Sequence, residues 1–250
     1  MKIAISIIAL ILSLASAVKA DVLIVADEFP AMQALAAFIK TNANIESEII
    51  DQTKIPADLK KYEAIIVYIH RNLNEPAEKA FIDYTTNGGK LIPLHHSISS
   101  GKKKNKYWFD FLGVDLPQGD VDAGGYKWIE GVELDIVCLD QKHFITTNKI
   151  SYPAEIPFEI NGEKKNLPSF HLTDSEVYIN HVLKSNQKKL LGLKYTDKTS
   201  GKTYIQQHAG WTKKVGKGTI IYLLPGHSIK EFQNNTYSQI VLNAILWNGQ

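Results

Sequence analysis

The chain predicts an α/β fold, a doubly wound and mostly parallel sheet in one domain, on three observations. Continuous apolar runs recur at Val22 to Ala26, Ala64 to Tyr68, Lys90 to Leu94 and Thr219 to Leu224, as in strands buried on both faces. Helix signals separate the early runs, and short βαβ connections imply right-handed crossovers. Finally, 250 residues at 44% hydrophobic and 22% charged can build one large core, which excludes collagen, coiled coil and disorder.

The elements follow in order. Val22-Leu23-Ile24-Val25-Ala26 opens the sheet. Pro30 suits a helix start, and Leu35, Ala36, Phe38 and Ile39 give an amphipathic helix to about Lys40. A strand at Ser47 to Ile50 precedes the buried run Ala64 to Tyr68. Asn74 as cap and Pro76 in the first turn predict a helix to about Thr86, stopped by Asn87-Gly88-Gly89. After the strand Lys90 to Leu94, periodicity is lost from Gly101 to about Gly131, which resembles an insertion or lid around a short aromatic helix at Tyr107 to Leu112. From Glu133 to Gln207 irregular short strands are expected, with turns at Asn161-Gly162 and Thr199-Ser200-Gly201. Lys188 to Tyr195 and Tyr204 to His208 are the better strands there. The last buried strand, Thr219 to Leu224, and a helix from about Tyr237 to Trp247 close the chain.

Residues 1–20 are expected to be a signal peptide and 21–250 one domain. Lys2 precedes an apolar run from Ile3 to Ala15, followed by small-residue cleavage options, Ala15-Ser16-Ala17 or Val18-Lys19-Ala20. The run falls short of the ~20 residues a membrane span needs. An exported protein is expected, periplasmic in a diderm bacterium or secreted, with no membrane attachment after cleavage. Losing Lys2 and Lys19 leaves 26 basic against 26 acidic residues, so the mature chain has no basic excess and no nucleic-acid partner is expected. The cluster Lys102-Lys103-Lys104 with Lys106 is expected to be a solvated loop. Cys138 is the single cysteine, so no intrachain disulfide forms.

In open α/β sheets ligands bind outside the carboxyl ends of the parallel strands. Four such ends carry polar groups: Asp27 and Glu28, His70 and Arg71, His95-His96-Ser97, and Gly226-His227-Ser228. Capping or loop fixing accounts for any one of them; their convergence on one edge points to a site, above all at His95, His96 and His227. Histidine titrates near neutral pH and also binds metals, and the sequence does not choose between these roles. The strand-to-helix turn after Leu94 carries no elbow nucleophile: His95 and His96 occupy it, and Ser97 lacks the flanking glycines. Dinucleotide, P-loop and His-Glu-x-x-His motifs are all missing. A divalent metal site could draw on dispersed His95, His96, His171, Glu176, His208 or His227.

Several of these residues lie in segments that resemble a known family. Gly88-Gly89-Lys90-Leu91-Ile92-Pro93-Leu94-His95 resembles the Gly-Gly-Gly-Leu-Val-Gly-Leu-His segment of trehalose-utilisation (ThuA-like) proteins. Gly216-Lys217-Gly218-Thr219-Ile220-Ile221-Tyr222 through Gly226-His227 is similar to their Gly-Lys-Gly-Arg-Val-Phe-Tyr…Leu-Gly-His segment, and Asn243-Ala244-Ile245-Leu246-Trp247 to their terminal Gly-Ile-x-Trp helix. Lys142-His143-Phe144-Ile145-Thr146 resembles a His-Pro-Ile-Thr element with Phe in place of Pro. Glu176-Val177-Tyr178 resembles an Asp-Glu-Leu-Tyr motif, with Ser175 where Asp is expected.

The resemblance implies a flavodoxin/class I glutamine amidotransferase-like sheet that has lost the amidotransferase cysteine. It implies a site of His95, His143, Glu176, Tyr178 and His227, with Trp211 as either a sugar-stacking platform or core. The resulting expectation is an enzyme of carbohydrate metabolism, a hydrolase, lyase or isomerase, acting on a disaccharide or an oxidised (keto) sugar. His95, His227 and Glu176 would be catalytic by acid–base or metal-assisted chemistry, with His95 and His227 the metal candidates. His96, His143, Tyr178, Trp211, Asp27 and His70 would bind the substrate, a small-molecule carbohydrate. The alternative is a noncatalytic carbohydrate-binding or assembly protein, for which an open groove rimmed by Tyr107, Trp108, Tyr126 and Trp128 would argue.

Overall fold

The computed structural model describes residues 21–249; the expected signal peptide lies outside the described residues. The strands in chain order are β1 (Val22–Ala26), β2 (Ser47–Ile50), β3 (Ala64–Tyr68), β4 (Lys90–Pro93), β5 (Val114–Asp115), β6 (Lys127–Cys138), β7 (Ala154–Ile160), β8 (Glu163–Ile179), β9 (Val182–Leu183), β10 (Lys188–Thr196), β11 (Thr203–Val215) and β12 (Gly218–Leu223). The helices are α1 (Phe29–Ala43), α2 (Glu75–Thr86), α3 (Trp108–Leu112), α4 (Phe144–Thr147), α5 (Ile229–Phe232) and α6 (Asn235–Leu246).

Ten strands form a single sheet in the order β2-β1-β3-β4-β12-β11-β10-β6-β8-β7. The first five run parallel, and the other five continue the sheet antiparallel. The fold is therefore mixed α/β, and the expectation of a mostly parallel sheet is corrected: half the strands are antiparallel. Each residue of β1 and β3 is buried, as strands covered on both faces require. Asn74 caps α2 by accepting a hydrogen bond from the Ala77 amide, and α1 runs three residues past Lys40 to a left-handed cap at Asn44 (φ 56°).

The Glu133 to Gln207 stretch is also corrected, because it contains long bulged strands of the main sheet rather than short irregular ones. In β6 and β8 the register shifts twice, between Glu130 and Val132 and between Val132 and Leu134. A bulge bends its strand and sharpens the twist. Beyond these bulges β6 leaves β10, which it pairs only from Leu134 to Cys138. Residues 127–132 and 175–179 thus continue as a ribbon paired with each other.

The 101–112 segment is a tied-down connection, not a solvated loop. Lys102 is fully buried, and its ammonium donates to the carbonyls of Ile69 (2.7 Å) and His70 (3.2 Å). Burial lowers its pKa to about 8. Lys103 donates to Leu116 O, and the buried Glu78 carboxylate accepts from the Tyr107 amide at 2.6 Å. Trp108, expected on a groove rim, is fully buried with its indole N–H on Ser97 O at 2.8 Å.

Candidate functional site

Three chain segments meet beyond the carboxyl ends of β4 and β12. The turn after β4, a 3-10 turn at His95–Ile98, brings His95 and His96. The loop after β12 brings His227, and the bent end of β8 brings Glu176 and Tyr178. One ligand atom from each of His95, His96, Glu176 and His227 lies within 4.8 Å of all the others. His95, His96 and Glu176 are buried, and the His227 side chain is 24% exposed.

His95 is fixed from every side. Its φ of +36° is a left-handed conformation that costs a residue bearing a Cβ roughly 1–3 kcal/mol, and it occupies the elbow position after β4 that carries a histidine in place of a nucleophile. The Tyr222 hydroxyl donates to its carbonyl at 3.1 Å. Its Nδ1 lies 2.6 Å from Leu224 O, its Nε2 2.8 Å from Glu176 Oε2, and its ring stacks on Tyr178 at 5.0 Å. A carbonyl only accepts, so Nδ1 carries a proton. A neutral His95 would consequently aim the bare lone pair of Nε2 at a carboxylate oxygen. The contact needs a proton between the two atoms, on the ring or on the carboxyl, or a cation shared by both.

Glu176 Oε2 is the point of convergence. The Tyr178 hydroxyl donates to it at 2.8 Å, His96 Nε2 lies 3.5 Å away and His227 Nδ1 3.7 Å away. Burial alone would raise the Glu176 pKa, but contacts with His227, His95 and His96 outweigh it and hold the carboxyl well below the usual range. His96 stays neutral, its pKa lowered to about 2 by burial and then by His95. Its contact with Glu176 raises the His227 pKa against the effect of burial. Burial keeps the Tyr178 phenol protonated. The ring nitrogens His96 Nδ1 and His227 Nδ1 are buried without a hydrogen-bond partner among the described residues.

The surrounding loops are built to hold this geometry. Gly226 has φ +128°, and a Cβ there would stand 3.0 Å from the Phe232 ring and 3.4 Å from the His95 Cβ. Its amide donates to the buried Glu231 carboxylate at 2.6 Å, and Tyr237 donates to Pro225 O. His70 stacks on His96 at 3.4 Å and lies 3.7 Å from Glu28. Asp27 fixes that loop by accepting from the amides of His70 (2.8 Å) and Arg71 (3.1 Å).

Of the sequence-predicted residues, the structure brings together His95, His96, Glu176, Tyr178 and His227, with His70 alongside and Asp27 supporting the His70 loop. His143 is elsewhere: its Nδ1 accepts from the Ile145 amide as the cap of α4, and its ring packs on Trp247. His171 pairs with Asp135 at 2.8 Å on β6–β8, and His208 lies against His181. Trp211 is fully buried and stacked on Tyr222, which leaves no face for a sugar; it is core. Sequence reasoning missed Tyr222 and Glu231. The first is one residue of an apolar run, and the second had no signal beyond lying four residues after His227.

The family model described as ThuA, trehalose utilisation, matches residues 21–248. Comparison with curated proteins finds no match. Among solved structures, a ThuA-like protein of Parabacteroides merdae is 14% identical, covering 90% of this chain and 88% of its own, at a TM-score of 0.63. A ThuA-like protein of Bacteroides uniformis is 18% identical, covering 94% of each chain, at 0.60. A beta-galactosidase of Bacillus circulans is 10% identical at 0.55; the match covers 88% of this chain and 30% of that enzyme. These likenesses concern the fold, whereas the family model spans nearly the whole described chain and shows that the protein belongs to the ThuA family, described by trehalose utilisation.

Proposed function

We propose that the protein is a carbohydrate-processing enzyme whose reacting centre is the group His95, His96, Glu176 and His227, and that a divalent cation is the cofactor this group fits. One observation carries the reading: three imidazoles converge on a single buried carboxylate oxygen. Metal bonds of about 2.0–2.2 Å put tetrahedral ligand atoms roughly 3.3–3.6 Å apart, near the 3.5 and 3.7 Å of His96 and His227 from Glu176. Three imidazoles and a carboxylate are a common donor set for zinc and other first-row ions. Hydrogen bonding of His95 Nδ1 to a backbone carbonyl is the usual orienting contact of a ligating histidine. A bound ion would supply Lewis acidity to a carbonyl or hydroxyl oxygen of the sugar.

The chain's own groups divide the remaining work. His95 and His96 are held rigidly and excluded from solvent, so they position. Tyr178 stays protonated and keeps one lone pair of Glu176 occupied. His227 alone among the four is substantially exposed and stands on the open side of the site; without an ion its contact with Glu176 favours the protonated ring, and with one it would be a neutral ligand. Isomerisation, elimination and hydrolysis of a keto sugar all need a proton delivered beside an oxygen. The converging ionisable groups favour this reading over noncatalytic binding. The test is NMR of an oxidised (keto) disaccharide incubated with the purified protein. Conversion is expected with the native residues and loss of it in His227→Ala and Glu176→Gln; an unchanged sugar with the native protein contradicts the proposal.

Export is part of the same reading, supported by the apolar run from Ile3 to Ala15. A mature protein beginning near Asp21 in the exported fraction is the expected result of N-terminal sequencing, and an intact Met1 in the cytoplasm would overturn it.

A further inference from the structure

We infer that the cleft on the β6 side of the centre is a second sugar subsite, so that the enzyme binds a saccharide of two rings, with the outer ring against Trp128. The inference rests on the carbohydrate reading and adds to it where the second ring sits. The cleft encloses about 430 Å³, within the range of small-ligand sites, and is lined among others by Ser100, Lys103, Gln118, Tyr126, Lys127 and Trp128.

Its continuity with the centre follows from strand register. Trp128 stands directly across from Tyr178, and Glu130 directly across from Glu176, and residues paired in this way share a sheet face. Two residues of rise along the strand and one strand spacing across separate the backbone positions of Trp128 and Glu176 by roughly 8 Å along the ribbon. A saccharide reacting at Glu176 and extended by a second ring along the ribbon reaches the cleft. Tyr126 is the shared wall: it lines the cleft, its ring lies 6.1 Å from that of Tyr178, and its buried hydroxyl has no partner among the described residues.

The chemistry suits a sugar. Trp128 is 49% exposed, and an indole gives a flat apolar face to the C–H side of a pyranose while a polar tip stays wet. The Tyr126 hydroxyl, Gln118, Ser100 and Lys127 supply hydrogen-bonding groups for ring hydroxyls. The cleft is formed in advance. The Tyr126 amide donates to Pro117 O at 2.8 Å, and Asn180 holds Val121 O and Gly125 O. A Cβ on Gly125 would lie 2.1 Å from Gly119 O, so the loop closes this tightly only with glycine there.

The test uses titration calorimetry of the purified protein with trehalose, maltose, cellobiose and glucose as probes, because Trp128→Ala removes the exposed indole whose fluorescence would otherwise report. Expected are a Kd for at least one disaccharide at least tenfold below that of glucose, and loss of that preference in Trp128→Ala with metal content and thermal melting unchanged. Tyr126→Phe provides a second variant that keeps the packing, with a several-fold weaker disaccharide Kd. Equal affinity for glucose and every disaccharide, or a preference that survives Trp128→Ala, overturns the subsite and leaves the carbohydrate reading standing. No binding of any of these sugars or of the oxidised disaccharide of the activity test overturns both.

Discussion

The parallel half of the sheet and the antiparallel half solve different problems. β1, β3, β4 and β12 are buried along nearly their whole length and end on residues held by backbone contacts, so they present His95, His96 and His227 from a rigid edge. β6 and β8 are long, bulged and alternately exposed, and after the bulges they leave β10 and carry Glu176 and Tyr178 to that edge. A rigid edge alone would offer three imidazoles with no counter-charge, as the His181–His208 pair shows. Those two rings lie 4.2 Å apart with no carboxylate, and burial lowers their pKa values to about 4 and about 2. The bent ribbon makes the difference between a neutral histidine cluster and a centre that can hold a cation.

The sharpest way to break this contrast is to remove the ribbon's charge. Glu176→Gln should lower kcat/KM by roughly 10²–10⁴-fold while circular dichroism shows the fold retained; activity within a fewfold of the native protein would mean the ribbon contributes no chemistry. Next in size is Lys102→Met, which removes a buried ammonium donating to two β3-end carbonyls. It should lower the urea-unfolding free energy by about 2 kcal/mol without touching the ribbon, and no shift in midpoint would argue against a structural role.

The fold of the parallel half was legible because its strands are uninterrupted apolar runs and its ligand-bearing ends follow them directly. His95, His96 and His227 could be singled out on that ground. Glu176 and Tyr178 could not be placed by pattern, since bulges at Glu130 to Leu134 break the period-two alternation of β6 and β8; Glu176 was one of several dispersed metal candidates, and its pairing with Tyr178 at the site entered through family resemblance. The same resemblance offered His143, which caps α4 instead. Lys102 was misjudged because a lysine run has the composition of a solvated loop, and nothing local shows that its ammonium meets two carbonyls. Trp211 was open between core and sugar platform, and only its complete burial decided.

Smaller effects sharpen the comparison further. Tyr178→Phe removes one donor from Glu176 and should weaken metal affinity about 10-fold, as loss of a supporting contact around a ligand does, with little change in melting temperature; unaltered affinity in a competition titration would show that the hydroxyl is idle. Finally, His208 has a folded pKa of about 2, lowered by burial and then by His181, against 6.5 in the unfolded chain. Between those values the unfolded state binds the extra proton, so stability falls as pH drops below about 6.5, by at most about 1.4 kcal/mol per pH unit. His208→Gln should flatten that slope in urea melts between pH 6.5 and 5. An unchanged slope would show that this pair does not govern the acid limb.

The most direct test of the central claim is metal stoichiometry by elemental mass spectrometry on the purified protein and on Glu176→Gln, after dialysis against a divalent-metal buffer. The geometry predicts one divalent ion per native chain and its loss from the folded variant. A native protein without metal, or a variant that holds the ion equally well, would contradict a centre assembled by the ribbon at the parallel edge.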